Sequence, residues 1–278
     1  MIDGRGRALA WLGLVLTLLA CDVDQGLKFE NPSENLKHGI KGRLVFSGAW
    51  PEHVSELRVV ATSNFPPDPS DPLQAFVFSD PVRLGVRAVD YGLALAPATY
   101  QIVGVIFREQ NQPWEISNLL AVHKPLDPCT ILPDLNQAVV VPSDTSVVTG
   151  VDIFVDLTKG SFSGTVRFIG EWPESLGFVG MVALKSPFSF ANLIPCGLAI
   201  LPIGTEEASY RILVPADDYV TLVVAGSDLS SITSFQDLKI LGTYFTPGDS
   251  SRPGVISVQP YENETGINLN ANLELFSN

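Results

Sequence analysis

One stretch of the sequence occurs twice, and this repetition constrains the fold more than any other feature. The first copy is Gly42-Arg-Leu-Val-Phe-Ser-Gly-Ala-Trp-Pro-Glu52, and the second is Gly164-Thr-Val-Arg-Phe-Ile-Gly-Glu-Trp-Pro-Glu174. Gly, Phe, Gly, Trp, Pro and Glu recur at matching places, 122 residues apart. A repeat of about 110–120 residues has the size of one small domain and is too long for a solenoid unit.

Two further blocks recur in the same order. The block Tyr91-x-Leu-x-Leu with Tyr100 matches Tyr210-x-Ile-x-Val with Tyr219. Later in each copy, Thr149-Gly-Val-x-Ile matches Thr265-Gly-Ile-x-Leu. Three ordered blocks predict two tandem domains that descend from one unit, at residues 39–158 and 159–278.

The hydrophobic pattern within each copy is typical of β-strands. In the strand that closes the first copy, we expect Val151, Ile153, Val155 and Leu157 to face inward, and Asp152 and Asp156 to face outward. In the second copy the inward row is Ile267, Leu269, Ala271, Leu273 and Leu275. Short strands at roughly 8–12-residue spacing, separated by turn residues, predict an all-β fold of two antiparallel β-sandwiches. One helical turn is expected at most, within 230–238.

The N-terminus resembles that of an exported lipoprotein. Arg5 and Arg7 precede an apolar run of thirteen residues from Ala8 to Ala20, which is too short to span a bilayer. The run ends in Leu18-Leu19-Ala20-Cys21, which resembles the lipobox of bacterial lipoproteins. We therefore expect residues 1–20 to be a signal peptide, Cys21 to carry the acyl anchor and residues 21–38 to be a tether. The alternative is an ordinary secretory signal followed by a chance cysteine.

Composition and charge limit the classes of partner that the protein is expected to bind. Apolar residues make up 46% of the chain and charged ones only 17%, which suits packed cores rather than disorder. The formal net charge of −13 argues against binding to nucleic acid and against adsorption to anionic lipid. The membrane contact that we expect is the acyl chain on Cys21.

Two cysteines remain once Cys21 serves as the anchor. Cys129 and Cys196 lie in different predicted domains and at non-corresponding positions of the repeat. In an oxidising compartment they can form a bridge that fixes one domain against the other. Two unpaired thiols are the alternative that the sequence leaves open.

The strand pattern and the tyrosine blocks together resemble the transthyretin-like, or carboxypeptidase-regulatory-like, β-sandwich family. The resemblance covers residues 40–275 and rests on the opening Gly-x-Val-x-Phe strand, the segment Tyr91–Tyr100 and the closing apolar strand. It implies a prealbumin-like sandwich of about seven strands in each copy. Domains of this family usually serve as spacers or as binding and assembly modules. The glycine that the family usually has in its middle turn is absent from Ala96-Pro97-Ala98.

The sequence contains no pattern that indicates catalysis or a metal. His38, His53 and His123 are dispersed and lack metal-ligand spacing, so we predict neither a metal nor a cofactor. The aromatic candidates for binding are Trp50, Trp114 and Trp172. Trp50 and Trp172 either plug the end of each sandwich or form an exposed platform. Trp114 has no counterpart in the second copy, so we expect it to be exposed.

Two hypotheses for function follow. The first is a non-catalytic protein, lipid-anchored to the bacterial cell envelope, that acts as an interaction or assembly module with a protein partner. The second is a carbohydrate-binding surface lipoprotein that uses the three tryptophans or the polar row formed by Asn268, Asn270 and Asn272. The sequence leaves open which membrane holds the anchor.

Overall fold

The computed structural model describes residues 36–64, 71, 73–144, 146–186, 194–226 and 238–277. Nearly every regular element in these ranges is a β-strand, which confirms the all-β prediction. We call residues 39–158 the first half and residues 159–277 the second half. The first half contains β1 Gly39–Ser47, β2 Val54–Thr62, β3 Val77–Phe78, β4 Ala88–Ala94, β5 Ala98–Tyr100, β6 Ile102–Glu109, β7 Leu119–Val122, β8 Val139–Val141, β9 Val147–Val148 and β10 Ile153–Asp156, with 3-10 helices at Ile116–Asn118 and Leu135–Gln137. The second half contains β11 Gly160–Ile169, β12 Phe178–Lys185, β13 Pro195–Ile200, β14 Glu207–Val214, β15 Asp217–Gly226, β16 Lys239–Thr243, β17 Ile256–Val258, β18 Asn263–Glu264, β19 Leu269–Asn272 and helix α1 Glu274–Ser277.

Three expectations fall wholly or largely outside the described residues. They are the signal peptide at residues 1–20, the tether up to residue 35 and the helical turn within 230–238, of which only residue 238 is described. The boundary between the two predicted domains also stays a prediction.

Each half is a sandwich of two main sheets. In the first half β1 pairs with β4, β9 and β10 in one sheet, and the other sheet has the order β3-β2-β6-β7. Strand β8 pairs with β5, the short strand that immediately precedes β6 in the chain. In the second half β11 pairs with β14, β18 and β19, and the other sheet has the order β13-β12-β15-β16, with β17 on β15. The two halves therefore share one strand topology, as descent from a single unit predicts.

Two pairings in each half differ from the antiparallel arrangement that the sequence predicts, because the first strand pairs in parallel with both of the last two strands, β9 and β10 or β18 and β19. β1 pairs in parallel with β10, with Leu44 opposite Ile153. β11 pairs in parallel with β19, with Val166 opposite Leu269. The last strand reaches the free edge of the first strand after a long connection, so it can run in the same direction, which a short hairpin would not permit.

A close backbone approach explains why the repeated stretch has glycine at its first position in both copies. A Cβ atom on Gly42 would lie 2.0 Å from the carbonyl oxygen of Val151, and one on Gly164 would lie 2.2 Å from that of Ile267. Both distances are far below van der Waals contact, so no side chain fits at either position. In each half, the segment just before the last strand therefore passes directly over a glycine of the first strand.

The repeated tyrosines bind the same two carbonyl oxygens. The Tyr91 hydroxyl donates to the carbonyl oxygen of Val151 at 2.6 Å, and Tyr210 donates to that of Ile267 at the same distance. Burial raises the pKa of both phenols, so they stay protonated donors. Each of these carbonyls is thus packed against a glycine and hydrogen-bonded to a tyrosine.

Each half has a second apolar cluster in addition to the core between its sheets. On the outer face of the β2–β6 sheet the cluster comprises Val60, Phe76, Ile102, Ile106, Leu119 and Val122. On the equivalent face of the second half it comprises Phe178, Val182, Leu184, Val220, Leu222 and Val224. The central strands of these sheets are therefore buried on both faces, whereas a simple two-layer sandwich would leave one face to solvent.

The prediction that Leu275 faces inward at the end of the closing row is wrong. Leu275 is 46% exposed, whereas Leu273 is buried. The strand ends at Asn272, whose side-chain oxygen accepts a hydrogen bond from the backbone N–H of Glu274 and so starts helix α1. The change from strand to helical turn breaks the two-residue alternation.

The glycine contact generates a stability prediction. We expect Gly164→Ala to lower the free energy of unfolding by about 3 kcal/mol, because the added methyl group overlaps a backbone carbonyl. Gly204→Ala is the matched control, since nothing lies within 4 Å of its Cβ position and only its positive φ of 83° is penalised, by about 1 kcal/mol. Urea unfolding measures both variants. Equal losses would contradict the proposed role of the close backbone approach.

Candidate functional site: the cleft between the two halves

A cleft of about 340 Å³ lies where the two halves meet, and this volume is within the usual range of small-molecule sites. The first half contributes the turn after β1 together with residues of β6 and β7. The second half contributes the start of β11, the middle of β14 and the loop before β18. The residues that matter most for its chemistry are Trp50, His53, Phe107, Leu120, Lys159 and Arg211.

A backbone contact fixes the mouth of the cleft. The Tyr261 hydroxyl accepts a hydrogen bond of 2.8 Å from the backbone N–H of Ala49, which belongs to the repeated stretch. The backbone N–H of Tyr261 in turn donates to the carbonyl oxygen of Lys159 at 3.3 Å. The loop that carries Tyr261 therefore connects the turn after β1 to the beginning of the second half.

An ion pair crosses the cleft. Arg211 Nη1 lies 2.7 Å from Glu109 Oε1, and His53 Nε2 lies 3.8 Å from the same oxygen. Arg211 Nε also donates to Ser161 Oγ at 3.2 Å. The Arg211 and Glu109 side chains are partly exposed, so the pair contributes about 1 kcal/mol or less, but it fixes the orientation of Arg211.

Lys159 is the unusual group of the cleft. Its Nζ donates to the carbonyl oxygen of Leu120 at 2.6 Å, and among the described residues no carboxylate oxygen lies within 4.0 Å of it. Burial lowers the pKa of the Lys159 ammonium to about 8, although nearby Asp156 acts in the opposite direction. Lys159 is thus a half-buried cation that is bound by a backbone carbonyl and has no carboxylate oxygen within 4.0 Å among the described residues.

A disulfide and apolar contacts hold the two halves together beside the cleft. Cys129 of the first half is bonded to Cys196 of β13, and their Cα atoms are 4.8 Å apart. Cys129 packs against the core of the second half, and Leu213 of β14 packs against the core of the first. The halves are therefore joined by a covalent bond, an ion pair and reciprocal packing.

Trp50 and Trp172 have equivalent surroundings in the two halves. The Trp50 ring packs against Phe46 at a tilt of 53° with ring centroids 4.7 Å apart, and its Nε1–H donates to the carbonyl oxygen of Val86 at 3.1 Å. The Trp172 ring packs against Phe168 at the same tilt and centroid distance, and its Nε1–H donates to the carbonyl oxygen of Thr205 at 3.2 Å. Both indoles are half-buried and have used their donor. Trp50 also lines the cleft, so one face of this predicted binding residue belongs to the candidate site.

Trp114 is half-buried, whereas the sequence predicted an exposed side chain. Its ring packs against Phe78 at 5.5 Å, and the guanidinium groups of Arg108 and Arg58 lie 5.2 and 5.8 Å from its centroid. The ring therefore covers the outer apolar cluster of the first half and is itself contacted by two cations.

Glu56 joins the two arginines above Trp114. It forms ion pairs with both Arg58 and Arg108. Burial raises the pKa of the Glu56 carboxyl, but the hydrogen bonds and charges of the two arginines outweigh this effect and lower it. This closed cluster leaves little of the Trp114 face for a ligand.

The remaining candidates are distributed over the structure. Asn268 Oδ1 accepts from the backbone N–H of Thr165 and Asn272 Oδ1 accepts from that of Glu274, so two members of the asparagine row already have local partners. Cys21 lies outside the described residues. Within the described ranges, His, Cys, Asp and Glu form no group of three that could hold a metal ion. No helix in the same ranges is long and apolar enough to cross a bilayer.

Sequence reasoning missed Lys159, Arg211 and Tyr261. None of them belongs to a motif, and each acquires its surroundings only when the two halves meet. The one sequence signal is position, since Lys159 is a lone cation at the predicted domain junction, directly before the first strand of the second half.

Comparisons with known proteins give no family for this chain, because neither a family model nor a curated protein matches it. Among solved structures, a leucine-rich repeat protein from Bacteroides thetaiotaomicron is similar over 85% of this chain and 26% of that chain, with 14% identity and a TM-score of 0.39. The tip fimbrial protein of Porphyromonas gingivalis is similar over 79% and 91%, with 10% identity and a TM-score of 0.26. The minor pilin of Streptococcus agalactiae is similar over 84% and 95%, with 9% identity and a TM-score of 0.20. These scores are too low to support an argument about fold or function, and membership of the transthyretin-like family stays a prediction.

The disulfide generates the next prediction. Reduction of the wild-type protein should lower the free energy of unfolding by about 3 kcal/mol, because the bond closes a loop with a sequence separation of 67 residues. The double variant Cys129→Ala, Cys196→Ala is the control, since it should be less stable than the oxidised protein and indifferent to reductant. Identical urea-unfolding curves with and without reductant would contradict this role of the bond.

Lys159 generates a prediction about stability and pH. The folded pKa of about 8 lies below the unfolded value of roughly 10.4, so the charged form opposes folding. This penalty is fully present below pH 8 and is lost as the pH rises towards 10.4. Lys159→Met should therefore be more stable than wild type by about 2 kcal/mol at pH 7, with a gain that shrinks by pH 10.

Lys185→Met is the matched control for that comparison, because Lys185 is exposed and pairs with Asp217. It should change the free energy of unfolding by less than about 1 kcal/mol at pH 7. A loss of stability in Lys159→Met at pH 7, or a gain that is independent of pH, would show that the ammonium is not desolvated.

Proposed function

We propose that this protein is a non-catalytic, lipid-anchored component of the bacterial cell envelope that acts as an interaction or assembly module, with the cleft between its halves as the binding site. The observation that carries the proposal is the fixed joint. Two sandwiches are held by a disulfide and by the Arg211–Glu109 ion pair around a cleft with an apolar wall and an unpaired cation. A rigid joint of this kind presents a binding surface without an ordering cost.

The proposed anchor rests on the sequence alone. The apolar run that ends at Ala20 is followed at once by Cys21, and acyl chains on this cysteine would hold the protein on a membrane without spanning it. The cross-half disulfide agrees with export, because such bonds persist in oxidising compartments. Residues 21–35 would then supply the reach between the membrane and the first strand.

A protein partner is the first candidate for the cleft, and a glycan is the second. The glycan alternative is favoured by the position of Trp50, whose ring lines the cleft while its N–H is already bound to Val86. Aromatic faces of this kind bind sugar rings through their apolar side. Trp114 and Trp172 are weaker candidates, because the described contacts already cover Trp114 and place Trp172 against the core of the second half.

Site-specific photo-crosslinking in the native cells tests the proposal. A photoreactive residue replaces Glu52, which is exposed at the rim of the cleft, in the full-length chain. We expect a discrete adduct, because a partner seated in the cleft must pass this rim. Digestion of the adduct by protease or by glycosidase distinguishes a protein partner from a glycan.

The control replaces Asp249, whose side chain is 46% exposed and does not line the cleft, and it should give no such adduct. Mass spectrometry of the same preparation should find residues 1–20 removed and Cys21 acylated. An uncleaved leader with a bare Cys21 would contradict the anchor, and adducts that are equal at both positions or missing at both would contradict the cleft as the interaction site.

A further inference from the structure

The unsatisfied charge of Lys159 indicates what the cleft binds. A lysine ammonium has three N–H donors, and among the described residues the protein acceptor for Lys159 Nζ is the carbonyl oxygen of Leu120. Acidic residues outnumber basic ones by thirteen in the chain, yet among the described residues none places a carboxylate oxygen within 4.0 Å of this ammonium, and Asp156 acts on it from a greater distance. A desolvated cation that lacks an anion reduces stability, and groups of this kind are concentrated at functional sites.

The other charges of the cleft do not supply the missing anion. Glu109 is engaged by Arg211 and lies near His53, so its charge is balanced within the site. Glu52 and Glu262 also line the cleft, but both side chains are exposed. These three carboxylates make the surroundings unfavourable for a dianion such as a phosphate monoester. A single negative charge fits best.

The apolar residues that line the cleft indicate which uncharged part of a ligand would fit it. Trp50, Phe107, Leu120, Leu157 and Leu213 present apolar surface to the cleft. The Trp50 N–H is bound to Val86, so this residue offers a ring face rather than a donor. A volume of about 340 Å³ admits one ring with a short substituent.

We infer that the cleft binds a small monocarboxylate built on a single ring, with its carboxylate on the Lys159 ammonium and its ring against Trp50. Two sources share this chemistry: the uronic acid unit of an acidic glycan, and a free aromatic acid. The inference goes beyond the interaction role proposed above and does not depend on a protein partner.

A pH dependence follows from the same contact. A bound carboxylate favours the charged form and raises the pKa of Lys159, so affinity should fall as the pH rises above about 8. The other titratable or charged groups around the cleft are Glu52, His53, Glu109, Asp156, Arg211, Tyr261 and Glu262. A fall in affinity between about pH 7.5 and 9.5 that is present in wild type and absent from Lys159→Gln therefore reports on Lys159.

Calorimetric titration of the mature protein with its disulfide intact tests the inference. The probes are phenylacetate and methyl glucuronoside, each compared with its neutral counterpart, phenylacetamide or methyl glucoside. We expect at least one acid to bind at least tenfold more tightly than its neutral counterpart. Binding by the aromatic acid alone identifies that source, binding by the glucuronoside alone identifies the glycan, and either result supports the site.

Variants separate Lys159 from general electrostatics. Lys159→Met and Lys159→Gln should abolish the preference for the acid, and the Tm of Lys159→Met should be at least that of wild type at pH 7. Lys185→Met is the control, because this exposed lysine pairs with Asp217 and does not line the cleft; it should bind like wild type. In wild-type protein labelled at lysine, NMR should find the pKa of Lys159 raised by the bound acid, which needs no variant.

Three outcomes would overturn the inference. They are neutral probes that bind as tightly as the acids, undiminished binding by folded Lys159→Met or Lys159→Gln, and no binding of either acid. The crosslinking result at Glu52 is independent of all three, so the failure of this inference and the failure of the proposed function are distinguishable.

Discussion

The close approach of the segment just before the last strand to a glycine of the first strand is the constraint on which each half depends. At Gly42 and Gly164 a backbone carbonyl of this segment occupies the space of a Cβ atom. The same carbonyls accept hydrogen bonds from Tyr91 and Tyr210, so a single point satisfies a buried polar group and sets the register. The two halves preserve this point although most of their loops differ. This explains why the repeat is visible as scattered single residues rather than as continuous identity.

Closure of each sandwich leaves its ends free, and the cleft forms where two such ends meet. The turn after β1 contacts the loop of Tyr261, and Arg211 reaches across to Glu109. The disulfide binds the long loop of the first half to β13. Lys159 lies at this junction, where its position is determined by both halves and no carboxylate oxygen of the described residues lies within 4.0 Å of its ammonium. The site is therefore a property of the pair of sandwiches, which gives their pairing a chemical consequence.

The sequence predicts the part of this structure that depends on local pattern. Alternating residues and the repeated blocks predict the strands and the all-β class, because the two-residue period follows from backbone geometry. The surroundings of Trp114 could not be predicted, since Phe78, Arg58 and Arg108 come from separate segments. The prediction that Leu275 faces inward was wrong because a helical turn starts within the expected strand. Lys159 and Arg211 carry no motif, and their roles arise only from the relative placement of the halves.

The central claim is that the two halves form one rigid unit, so that the cleft is permanent. Residual dipolar couplings of the oxidised protein in solution measure this most directly, because they report the orientation of every amide in a common frame. We expect a single alignment tensor to fit the amides of both halves, because the disulfide and the Arg211–Glu109 ion pair hold them together. Two tensors of different magnitude would show that the halves reorient independently, which would contradict a permanent cleft.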